Sequence, residues 1–165
     1  MNADECFAPW VRWANKSSLP DRSKSGVYII GRFENEPPLG PADPLDKGVV
    51  YIGESSTARL QNRWRSFERS VRSKGKHRGG KRYKEMFGED LSVAYISTLP
   101  GDRLMKAFLK LDSCSFLDIS ASDAKVDGTD ELLREIDDLI IKYMERRLIL
   151  LHSLANGRRP ACNVD

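Results

Sequence analysis

Apolar positions along the chain fall into short β-type runs and longer stretches at helical spacing. Gly26-Val27-Tyr28-Ile29-Ile30-Gly31 is β-branched and aromatic between glycines and predicts a strand. Val49-Val50-Tyr51-Ile52-Gly53 predicts a second. Between them, Pro37, Pro38, Pro41 and Pro44 cannot join a ladder, so Arg32 to Gly48 reads as a loop and the two strands pair antiparallel. Alternation puts Tyr51 and Gly53 on one face, Val50 and Ile52 on the other. Leu91, Val93 and Tyr95 alternate within a third strand, Leu91 to Leu99, stopped by Pro100-Gly101. Helices are expected at Phe7 to Asn15, with Trp10 and Trp13 packing on the body, and at Ala58 to Ser73, capped by Ser56 or Thr57. Lys81 to Phe87 and Arg103 to Leu111 add two more, while Ser115 to Gly128 has no clear pattern. Asp130 to Leu154 has the strongest helical period. Leu132, Leu133, Ile136, Leu139, Ile140, Tyr143 and Met144 form its expected buried face, and Gly157 and Pro160 end it. The order of elements predicts an α+β domain.

Glu145 breaks the helical pattern. Its neighbours at helical spacing are Ile141, Leu148 and Ile149, so it projects into a second apolar stripe, away from Ile136 and Ile140. A carboxylate there is partly desolvated and needs compensation. One reading is an ion pair with Arg146, Arg147 or a base elsewhere. The other is a metal ligand or a general acid or base. One carboxylate plus waters and a phosphate suffices for Mg²⁺.

Charge sharpens the choice. The net charge of +3 over 165 residues hides eleven Lys or Arg against one acid between Arg59 and Lys84, and nine acids against two bases between Asp112 and Asp138. A charge run is by default a solvated face. Here Trp64, Phe67 and Tyr83 interleave with the bases, and Gly79-Gly80 permits close backbone approach. That favours a polyanion, nucleic acid ahead of a membrane surface. No apolar run exceeds four residues, whereas a membrane span needs about 20, and Met1 to Trp10 lacks the apolar core of a signal peptide. Three cysteines without paired spacing point to a reducing, cytoplasmic compartment, and two histidines exclude a three-histidine metal site.

Gly26-Val27-Tyr28, Tyr51-Ile52-Gly53, Arg63-Trp64 on a helix, Glu145 on a late helix and Asn163 occur in an order that resembles the GIY-YIG nuclease family. Leu60-Gln61-Asn62-Arg63-Trp64 looks like that family's first helix. Lys76-His77-Arg78-Gly79-Gly80-Lys81 looks like its following basic loop, where several members carry a functional histidine. The resemblance implies a small three-stranded, mainly antiparallel sheet flanked by helices over 26–165, an N-terminal arm or helix over 1–25, and an insertion at about 100–128. The chain departs from the family in a longer loop between the two tripeptides and in Phe67, where some members place histidine or tyrosine. The gap from Gly53 to Arg63 is also slightly long, which makes Arg59 a rival for the arginine role.

The resemblance further implies metal-dependent hydrolysis of a phosphodiester by an in-line water. Tyr28 would be the general base, its pKa lowered from about 10 by cations of the basic stripe. Glu145 would hold one Mg²⁺ or Mn²⁺. Arg63 would grip the phosphate, Tyr51 would hydrogen-bond phosphate or water, His77 would contact phosphate or shuttle a proton, and Asn163 would orient the site. Gly53 would let the backbone approach nucleic acid. Arg59, Arg65, Arg69, Lys76, Arg78, Lys81 and Arg82 would bind it. Duplex DNA is the expected partner, and a second copy is a candidate partner because cutters of symmetric sites are commonly dimers. By elimination of appended modules the chain resembles compact restriction endonucleases or small phage and mobile-element nucleases. The competing readings are a non-catalytic nucleic-acid-binding module on the same fold and an RNA- or structure-directed nuclease.

Overall fold

Val27 to Ile30 have no exposed surface, as a central strand covered on both faces requires. In the computed structural model, which describes residues 7–104 and 129–163, this strand is β2 (Gly26–Arg32). The other strands are β1 (Val11–Arg12), β3 (Val49–Ser55) and β4 (Ala94–Pro100). The helices are α1 (Leu60–Arg72), α2 (Arg78–Phe87) and α3 (Thr129–Asn156). All strand pairs are antiparallel, in the order β1-β4-β2-β3. The α+β class is as expected, but the sheet has four strands, not three.

The additional strand comes from the arm. Phe7 to Asn15 does not form the expected helix. Its backbone is drawn out along β4, with Ala8 N–H donating to the Thr98 carbonyl at 3.0 Å and Val11 opposite Ile96, before a 3-10 helix runs from Trp13 to Ser18. The otherwise open edge of β4 offers ladder partners that outweigh local helical spacing. Trp10 accordingly meets Phe33 and Trp13 meets Phe67, in the cores on opposite faces of the sheet.

The arm also starts α1. Arg59 precedes the helix without a side-chain cap, so neither Ser56 nor Thr57 performs the expected role. The Leu60 and Gln61 amides instead donate to the Lys24 and Arg22 carbonyls at 2.9 and 3.0 Å. The helix α2 begins three residues earlier than the apolar pattern suggests, because His77 caps it: its Nδ1 accepts from Gly80 N–H at 3.3 Å.

Tyr28, Ile30 and Tyr51 pack with Trp64, Phe67 and Tyr83 of α1 and α2 on one face. Val27, Ile29, Ile52 and Leu99 pack with Ile141 and Leu148 of α3 on the other. Of the α3 face expected to be buried, Met144 packs on the core and Leu133 and Ile140 are half-buried. Leu132, Ile136, Leu139 and Tyr143 are exposed, Leu139 by 65%. The stripe carrying Glu145 is the buried one. The helix has two apolar sides, and periodicity alone cannot say which one the sheet will take. The predicted helix over Arg103 to Leu111 overlaps a helical stretch from Gly101 to Leu104; its remainder and most of the expected insertion lie outside the described residues. Among the described residues no helix is long and apolar enough to cross a membrane.

Candidate active site

The site lies where α3 crosses the free edge of β3. That edge is closed by the chain after α3. Cys162 N–H donates to the Val50 carbonyl at 2.7 Å. The Asn163 carboxamide then pairs with both backbone groups of Ile52, accepting from its amide at 2.8 Å and donating to its carbonyl at 2.7 Å. Asn163 thus imitates a strand partner and holds the edge in register beside Tyr51.

Tyr28 stands directly across from Gly53 in the β2–β3 ladder. A Cβ on Gly53 would lie 2.5 Å from the Tyr51 ring and 2.8 Å from the Tyr28 ring. Gly53 is therefore filled by the two tyrosines, which meet with ring centroids 5.8 Å apart, and is buried away from nucleic acid, contrary to the expectation for it. Gly79 plays the same part on the other side of Tyr51, where any Cβ would strike its ring. The close approach expected at Gly79-Gly80 is internal. Gly26, at φ +152°, is needed where a Cβ would come within 2.5 Å of the Leu99 carbonyl.

His77 is only 7% exposed, yet it lines the cleft beside Tyr51 and Arg63. Because Nδ1 accepts from Gly80, the ring proton belongs on Nε2, which faces the Tyr28 hydroxyl at 3.2 Å. Burial, then the Arg63 charge, lowers its pKa to about 4. It is a neutral imidazole that fixes Tyr28. Phe67 meets Tyr51 at a tilt and His77 edge-on, with ring centroids 5.5 and 5.4 Å apart, so that position packs the site.

Tyr28 is wholly buried, and burial pushes its phenol well above the ordinary 10, with Tyr51 adding to the shift and Arg63 opposing it. This is opposite in sign to the lowering expected from the basic stripe. Only one arginine of that stripe reaches the phenol, and desolvation outweighs it. Tyr51 reaches the cleft wall, its phenol pushed up to about 12 by burial and then by the charge of Glu145.

The cleft in front of Tyr51 has a volume of about 770 Å³. Arg63, Lys76, Arg78, Arg146, Arg158 and Arg159 line it, with Glu54 and Glu145 as its two carboxylates. Arg63 Nε donates to the Glu54 carbonyl at 3.1 Å, which aims the guanidinium while its two terminal nitrogens make no hydrogen bond to the described residues. Arg59 lines a separate recess beside Ser25 and Asn62, so Arg63 and not its rival enters the cleft. Arg65 and Arg69 are exposed outside it, Lys81 lines another recess, and Arg82 pairs with Glu85 at 3.0 Å.

Glu145 is half-buried. Burial, then the charge of Glu54, raises its pKa to about 7, with Arg146 and Arg63 opposing. Its nearest base, Arg146, is 3.9 Å away and exposed. Among the described residues no group of three or more His, Cys, Asp or Glu is placed to hold a metal. The available anionic donors in the cleft are the two glutamates. Glu54 escaped the sequence reading because alternation assigns it to the face opposite Tyr51. Its place at the end of an edge strand, with Oε2 accepting from Ser56 N–H at 2.6 Å, brings it to the cleft instead.

No protein-family model, no curated protein and no solved structure matches the chain.

Proposed function

We propose that the protein is a divalent-metal-dependent endonuclease of the GIY-YIG type, acting on duplex DNA in a reducing, cytoplasmic compartment, where buried Cys162 stays a free thiol. The observation that carries the reading is the convergence of Tyr51, Arg63 and Glu145 on one cation-lined cleft. A carboxylate with a raised pKa, whose one ion-pair contact among the described residues is an exposed arginine 3.9 Å away, is unfinished chemistry. Mg²⁺ or Mn²⁺ fits it, since either accepts one or two carboxylates and completes its shell with water. Glu145 would hold that ion, with Glu54 beside it. Bound there, it supplies charge neutralisation on the phosphoryl oxygens and acidifies adjacent hydroxyl groups.

The protein's own residues divide by reach. Arg63 offers its two terminal nitrogens to a phosphate. Tyr51, protonated at neutral pH, donates a hydrogen bond to a phosphoryl oxygen. Tyr28, His77, Gly53 and Asn163 are positioning residues: they fix the Tyr51 ring and the β3 edge. A second copy completes the reading. Leu132, Ile136, Leu139, Tyr143 and Leu150 follow coiled-coil spacing on the exposed side of α3, opposite buried Ile141 and Leu148. In an antiparallel pair, Ile136 would meet Leu139 of the second copy, and Glu135 would lie beside its Lys142. Such self-complementary charge suits a two-fold axis.

The test is supercoiled plasmid with Mg²⁺, Mn²⁺ or EDTA, beside Glu145→Gln. Metal-dependent cleavage that the variant loses while still shifting DNA on a gel is the expected result, and discrete bands would mark a restriction-type enzyme. Binding without cleavage by the unaltered protein under both metals would replace this reading with a non-catalytic binding module or an RNA- or structure-directed nuclease.

A further inference from the structure

Arg158 and Arg159 line two clefts, not one. Beyond them a second cleft of about 710 Å³ opens between the β2–β3 loop ends, the end of α2 and the last turns of α3. Its other cations are Arg32 and Lys47, and Glu34 is its only lining carboxylate. Lys47 is exposed and forms no ion pair among the described residues. Arg32 has no carboxylate partner among the described residues either. It donates to the Tyr83 hydroxyl at 3.2 Å and sits over Phe87 with its guanidinium carbon 5.1 Å from the ring centroid.

The wall also contains His152, 2% exposed, with neither ring nitrogen hydrogen-bonded to protein. A buried polar side chain with no partner is rare in a folded protein and calls for a polar occupant beside it. Lys47 and Arg32, without a carboxylate partner among the described residues, call for an anion. An aromatic and guanidinium surface in the same cleft calls for a flat π-system. A nucleotide combines all three, and a cleft of this size accommodates one.

We propose that this second cleft binds one nucleotide of the strand leaving the active cleft. Its phosphate rests on Lys47 and Arg158, its base lies against Phe87 and Arg32, and His152 hydrogen-bonds a polar edge of the base or sugar. The proposal rests on the nucleic-acid reading of the first cleft, and it makes Arg158 and Arg159 the ridge over which the strand passes.

The chain has two histidines, so nitrogen-detected imidazole spectra report on His152 and His77 separately. The full chain carrying Glu145→Gln is titrated in EDTA with a 5′-phosphorylated thymidine dinucleotide, and separately with inorganic phosphate. The dinucleotide should move the His152 resonances, and Lys47→Glu should weaken that response about tenfold. Lys47 is exposed and partnerless, so its replacement leaves the fold intact. Two results would overturn the proposal: His152 unmoved at saturating dinucleotide, or inorganic phosphate moving it equally at equal concentration, which marks a plain anion site. Plasmid cleavage separates the two readings. A protein that cuts while His152 stays still retains the nuclease and loses the second cleft. A protein that never cuts while His152 responds does the reverse.

Discussion

Glu145 binds a proton at about pH 7 in the fold and near 4.5 in an open chain. At about 1.4 kcal/mol per tenfold change in proton affinity, that difference is worth roughly 3 kcal/mol. The folded pKa is the higher one, so the contribution is complete below pH 4.5 and is lost as pH rises through 7. His77 has the opposite sign. Its folded pKa of about 4 lies below 6.5, so stability falls as pH drops from 6.5 toward 4. The difference in melting temperature between the metal-free protein and Glu145→Gln isolates the carboxylate. The variant should match the parent near pH 5 and exceed it at pH 8, and a pH-independent difference would count against a desolvated Glu145. Gly53→Ala gives a second residue-scale prediction. The added methyl meets two buried rings, so it should cost about 1–3 kcal/mol in denaturant unfolding and reduce cleavage even in the folded fraction. The oddity of Glu145 was visible in the sequence, because a lone carboxylate among Ile141, Leu148 and Ile149 violates a local pattern. The state of Tyr28 was not. A phenol's pKa depends on how much water the finished fold removes, and one short strand does not encode that.

At the scale of elements, β2, β3 and the two middle helices were legible because their apolar periods are decided locally, whereas β4 leaves out Leu91 and Val93 of the expected alternation and runs through Pro100, which pairs with Gly26. Errors fell where an element had two satisfactory options. Phe7 to Asn15 carries tryptophans at helical spacing, yet β4 offers it hydrogen bonds from across the chain. In α3 the choice was between two apolar stripes, and the sheet took the narrower one. The broader stripe left outside leads to an element-scale prediction. Leu139→Asp should convert a concentration-dependent dimer into a monomer in sedimentation, leaving the far-ultraviolet helix signal intact. A monomeric parent at tens of micromolar would remove the second copy from the proposed function.

For the whole molecule, the layers place the site. The helices α1 and α2 hold Arg63, Tyr51 and His77 on one side of the sheet, α3 lies on the other, and they meet around the free edge of β3. The basic stripe looked continuous in sequence, but the fold distributes it. Arg63, Lys76 and Arg78 enter the cleft, while Arg59, Lys81 and Arg82 serve other surfaces. A linear charge count cannot anticipate that division, nor the arrival of Arg146, Arg158 and Arg159 from the far end of the chain.

The Asn163 pairing joins residues 111 positions apart. Contacts of that span close late in folding, because the intervening loop must be gathered first. That order would place Tyr28, Tyr51 and Arg63 on a scaffold that stands before the acid-bearing helix and the asparagine reach it, the order in which chain synthesis delivers the parts. On the proposed reading, a newborn chain would acquire its grip on polyanions ahead of its capacity to cut them. The Ile52 amide is a clock for the final step, since its acceptor is this side chain. In pulse-labelled hydrogen exchange during refolding it should gain protection after the β2–β3 ladder amides, and simultaneous protection would mean the edge and the ladder form as one.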